Sequence, residues 1–116
     1  MTHVWGFLTP VPQENKAAYL ETARKSWDLF KEYGALSLHE CWEAEVPEGK
    51  LTSFPMAVKR EEGEAVVFSW MIWPDKETAD RCGASFETDE RWKATMDMPF
   101  DGKRMIYGSF DPLFEA

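Results

Sequence analysis

The stretch that decides the fold is Ala65-Val66-Val67-Phe68-Ser69-Trp70-Met71-Ile72-Trp73-Pro74. In an extended strand, successive side chains point to opposite faces. Val66, Phe68, Trp70 and Ile72 then share one face, and Val67, Ser69, Met71 and Trp73 share the other. A strand with water on one side alternates apolar and polar residues. This run requires cover on both faces. Pro74 has no N–H to donate to a neighbouring strand and closes it.

Downstream, Asp75 is suited to cap a helix over 76–87, with Glu77 in its first turn and Ala79, Cys82 and Phe86 facing inward. Thr88-Asp89 marks a second short helix over 89–96, with Trp92 and Met96 on its apolar side. An Asp101-Gly102 turn leads into a last strand over 103–111. Upstream, residues 51–62 read as a short helical turn or an extended piece, and 47–50 as a turn. A strand over 35–46 sets Leu36, Leu38, Glu40 and Trp42 on one face and Ser37, His39 and Cys41 on the other. A long helix over 14–33 carries Leu20, Ala23, Trp27 and Phe30 at spacings of three and four, with Tyr19 beside them, and Gly34 stops it. The first strand covers 3–11, ended by Pro10 and Pro12.

The order β-α-β-β-α-β defines an α+β, ferredoxin-like single domain over 1–116, with antiparallel sheet order 4-1-3-2. The Ala65–Trp73 run becomes the central third strand. Helices cover one face of the sheet, because crossovers are right-handed. The other face is left as a large apolar patch. A second copy laid sheet against sheet would cover it, so the expected partner is the chain itself, in a homodimer.

Composition limits the function classes. The 116 residues carry a net charge of −8, and no basic run exceeds two residues, as at Lys59-Arg60 and Lys103-Arg104. Nucleic-acid binding draws on clustered Lys and Arg, so neither nucleic acid nor an anionic membrane is an expected partner. The two cysteines, Cys41 and Cys82, have no CxxC spacing, which fits free thiols in a reducing compartment. The first residues lack a signal-peptide pattern and no run approaches the roughly 20 residues of a membrane span. The expected location is the cytoplasm.

Six blocks carry a family resemblance: Glu40-Cys41-Trp42, Val46-Pro47-Glu48-Gly49-Lys50, Thr52-Ser53-Phe54-Pro55, Val67-Phe68-Ser69-Trp70, Trp73-Pro74, and the run from Met98 through Asp101-Gly102-Lys103-Arg104 to Gly108. On these the chain resembles the DUF1428 family, the YbaA-like small bacterial proteins. The resemblance implies the dimeric α/β-barrel superfamily, in agreement with the plan above. It implies no function and no catalytic set.

The candidate chemistry is sparse. His39 and Cys41 sit two apart on one strand face, about 7 Å between Cα atoms, where a thiolate–imidazolium pair needs both side chains to lean together. Packing is the simpler role for both. The only histidines, His3 and His39, lie on strands flanking the third and are separated by about 9.6 Å or more, so no metal site is expected within one chain. Arg104 could hold an anion, or pair with a neighbouring acid. Trp5, Trp42, Trp70 and Met105 could line an apolar ligand cavity, or simply pack in the core or a dimer interface. Tyr107 is a further proton-transfer candidate. No phosphate loop, dinucleotide fingerprint or Ser-His-Asp set is present, and no cofactor is expected. Three readings follow. The first is a homodimer binding a small apolar or aromatic molecule between sheet and helices. The second is a cofactor-independent oxygenase- or isomerase-like enzyme using His39 or Tyr107. The third is a non-enzymatic interaction module.

Overall fold

The computed structural model describes residues 1–95 and 97–116. Strand β1 spans His3–Pro12 and a 3-10 turn, Gln13–Asn15, leads into helix α1, Lys16–Glu32. Strand β2 is Ser37–Trp42, helix α2 is the single turn Phe54–Ala57, and β3 is Glu64–Trp73. Helix α3 is Lys76–Ser85, followed by 3-10 turns at Glu90–Thr95 and Gly102–Arg104 and by β4, Ile106–Phe110. The antiparallel sheet has order β2-β3-β1-β4, which is the 4-1-3-2 order of the ferredoxin-like plan.

The register sorts the side chains. Trp5 pairs with Met71 and Leu38 with Met71, so odd positions of β1 and β3 share a face with even positions of β2. On that face Met71 and Trp73 are buried against Leu29 of α1, Ala79 and Cys82 of α3, and Trp92. Aromatic rings tie the layers together: Trp5 lies 4.9 Å from Trp73, and Phe30 lies 4.7 Å from Trp92. Trp73 is fully buried and fills space there.

The opposite face carries Phe68, Trp70 and Ile72 of β3 beside Leu8 of β1 and Ile106 and Phe110 of β4. Phe68, Ile106 and Phe110 are 46%, 44% and 60% exposed. Gly6 and Gly108 pair across β1 and β4, and the Phe110 ring lies over both; a Cβ at Gly108 would meet it at 3.1 Å.

Local chemistry sets the element ends. Asp75 caps α3 by accepting the Thr78 N–H at 2.7 Å. Ser53 caps α2 through the Met56 N–H at 3.1 Å. Gly34 ends α1 at φ +109°. Arg60 donates to Glu43 at 2.6 Å and to Glu48 at 3.2 Å, tying the 43–63 excursion together.

Several boundaries differ from expectation. β1 continues through Pro10, because β4 reaches only to Leu8 and Pro10 therefore has one neighbouring strand rather than two. β2 is shorter than 35–46. The last strand starts at Ile106 and not at 103, since the Asp101 carboxylate accepts from the Lys103 N–H and the Arg104 Nε and winds a turn there. Leu20, expected on the inward stripe of α1, is half exposed. Trp92 is buried as expected, and Met96 lies outside the described residues.

Candidate functional site

A groove of about 680 Å³ opens between the covered face of the sheet and the helices. That is within the usual range for small-molecule sites. Trp5, Phe7 and Met71 form its floor, Ala23 and Phe30 of α1 one wall, and Phe86 and Trp92 one end. Phe100, Met105 and Tyr107 close the far side. These rings come together because odd β1 residues, Tyr107 and Ser109 share the covered face.

Glu40 stands in this apolar groove. β2 pairs Glu40 with Ser69 of β3, which puts both side chains on the covered face, while Tyr19 reaches down from α1. The Tyr19 hydroxyl donates to Glu40 Oε1 at 2.8 Å, and the Ser69 hydroxyl donates to the same oxygen. Among the described residues, Glu40 Oε2 receives no hydrogen bond, and Glu40 is the one charged side chain lining the groove. The groove is open, so Glu40 keeps a path to water.

Glu40 remains exposed to water through the open groove, but partial desolvation by the apolar walls raises its carboxyl above the usual value, against the opposing hydrogen bonds from Ser69 and Tyr19. Burial, and then the adjacent Glu40 charge, also raise the Tyr19 phenol well above its usual value. The arrangement can accept a proton or a hydrogen bond inside an aromatic enclosure.

The expected site residues are divided between four places. Trp5, Met105 and Tyr107 line the groove. His39, Cys41 and Trp70 lie on the opposite face of the sheet, where His39 stacks on Trp70 at 4.6 Å. His39 therefore cannot reach a molecule in the groove. His3 lies on the covered face, so the two histidines are on opposite sides of the sheet; its Nδ1 is 3.0 Å from Asp111 Oδ1. Trp42 shares the face of Glu40 but lies beyond the groove, with Lys16 Nζ 5.1 Å from its ring. Arg104 is engaged in a fork with Glu64, 2.7 Å to each oxygen, and also donates to Asp101 and to the Lys59 carbonyl. Tyr19, Glu40 and Ser69 were not among the expected site residues. The available signal was an acid set between Leu38 and Trp42 on the covered face of β2.

The strand order and the helix-covered groove define an α+β protein of ferredoxin-like plan. The same fold occurs in a mutant of SnoaB, a cofactor-independent oxygenase from Streptomyces nogalater: the TM-score is 0.56 and the identity 14%, over 98% of this chain and 95% of that one. Likeness at this identity shows the fold alone. Within that class the chain belongs to the family described as protein of unknown function (DUF1428), whose model matches residues 2–102. It is 51% identical over 116 residues to the uncharacterized protein YbaA of Escherichia coli (strain K12), covering 99% of each chain, and equally to YbaA of Shigella flexneri.

Proposed function

We propose that the protein binds a small aromatic or otherwise apolar molecule in the groove between sheet and helices. One observation carries this reading: an open, aromatic-lined space of about 680 Å³ sits where a core of this size would ordinarily be filled. Trp5 and Trp92 line it and report on occupancy. Titration with naphthalene should quench tryptophan fluorescence saturably in the wild type, and Ala23→Trp, which fills the groove from α1, should abolish the effect. A wild-type response that never saturates refutes the reading.

We further propose that the working unit is a homodimer formed through the open sheet face. Phe68, Ile106 and Phe110 on that face support it, because an apolar patch of this kind disfavours a lone chain in water. The free thiols Cys41 and Cys82 support a cytoplasmic setting. No helix among the described residues is long and apolar enough to cross a membrane.

An enzymatic reading of the oxygenase or isomerase kind draws on a different observation. A carboxylate and the Tyr107 phenol share the groove, as proton transfer to a bound molecule requires. Glu40 takes the role first considered for His39, which lies across the sheet.

A further inference from the structure

We propose that the groove selects aromatic molecules that carry a hydrogen-bond donor, a hydroxyl or an ammonium, and that Glu40 Oε2 receives that donor. The inference rests on the groove being a ligand site. Both protein donors, the Tyr19 and Ser69 hydroxyls, converge on Glu40 Oε1. They fix the carboxylate from one side and leave Oε2 as its unmet acceptor among the described residues. Lys, Arg and His are absent from the described residues that line the groove, so no internal cation competes for it.

The selectivity follows from what each ligand does to water. An aromatic molecule entering the groove displaces solvent from around Glu40. If it brings no donor, Oε2 is left dry and unpaired, which is costly for a charged acceptor. If it brings a hydroxyl or ammonium, that loss is replaced by a charge-assisted hydrogen bond. Sites that contain a buried polar group discriminate strongly against ligands that leave it unpaired. An ammonium also benefits from the net charge of −8. Tyr19 and Ser69 are positioning residues in this scheme, since they act through Glu40.

Three probes of one ring system separate the possibilities: naphthalene, 2-naphthol, and 2-naphthylmethylamine, which is protonated at neutral pH. Wild-type protein should bind at least one donor-bearing probe about tenfold or more tightly than naphthalene. A gain with 2-naphthol assigns a neutral hydroxyl as sufficient, and a gain confined to the amine assigns charge as the feature read. In Glu40→Leu the preference should vanish while naphthalene affinity is kept or improved. Glu40→Gln serves if circular dichroism shows the leucine variant unfolded; there the ammonium preference should be lost. Equal wild-type affinity for all three probes, a preference that survives in Glu40→Leu, or an ammonium preference that survives in Glu40→Gln overturns the inference and leaves the groove reading standing. Failure of every probe to bind refutes the groove reading itself, and this inference with it.

Discussion

Replacing Arg104 by Met should be among the most damaging single changes outside the aromatic core. The guanidinium makes two 2.7 Å bonds to Glu64, whose side chain is only 8% exposed, and Arg104 itself is 17% exposed. Arg104→Met leaves the Glu64 carboxylate buried with the Glu61 N–H, at 2.7 Å, as its remaining donor. Breaking a buried pair from one side typically costs 3–5 kcal/mol; the residual exposure of Arg104 and the surviving Glu61 bond reduce this to about 2–4 kcal/mol. With a urea slope of about 1.5 kcal/mol/M, the unfolding midpoint falls by roughly 1.3–2.7 M. The double variant Arg104→Met with Glu64→Gln removes the stranded charge and should recover about 1 kcal/mol or more. The pH dependence has a definite sign. Hydrogen bonds from Arg104 hold the Glu64 carboxyl below its usual value, so the wild type has this stability above the ordinary carboxylate range and loses it as pH falls through the lowered value. The gap between wild type and Arg104→Met should therefore narrow on acidification. A single variant within about 0.5 kcal/mol of wild type at pH 7, or a double variant no more stable than the single, refutes the reasoning.

Gly34→Ala should lower stability by about 1–2 kcal/mol in thermal unfolding, because the residue has φ +109° and its new Cβ would meet Thr78 Cγ2 at 2.7 Å. Burial pushes the Cys82 thiol up to about 12, so a thiol reagent at pH 8 should modify Cys82 only once denaturant is added; rapid labelling of two thiols per native chain would contradict this. Phe110→Glu should convert a micromolar dimer to monomer in light scattering without changing the circular dichroism, and a wild type already monomeric there defeats the dimer proposal.

The sheet was the most legible part of the sequence. β3 has apolar residues on both faces, which called for cover above and below the sheet, and its central place followed from the β-α-β-β-α-β order. Proline chemistry was less legible: Pro10 reads as a stop until β4 is known to end short of it. The start of β4 was obscured because Lys103 and Arg104 have no strand-breaking character of their own; the break comes from the Asp101 side chain bonding forward. Helix α1 turns Ala23, Trp27 and Phe30 inward as expected, but not Leu20. Its inner face meets a groove rather than a filled core, so Tyr19, Thr22 and Ser26 face inward while Leu20 is half exposed. The same circumstance concealed the candidate site. Glu40 is an acid on the covered face of a strand, and its partners Tyr19 and Ser69 lie 21 and 29 residues away in sequence.

The pairing of β1 with β4 bears on how the chain acquires its site. Val4 lies opposite Phe110, so β1 completes its hydrogen bonding only after β4 has emerged from the ribosome. Closing so long a loop is entropically slow compared with forming a helix or a local hairpin. β1, β2 and β3 can associate earlier, but Tyr107 and Ser109, which close the far side of the groove, arrive with β4. Ligand competence is thus a late event in folding, and β1 presents an unpaired edge until then. A truncation before Ile106 would leave that edge permanently open, a template for strand addition between chains.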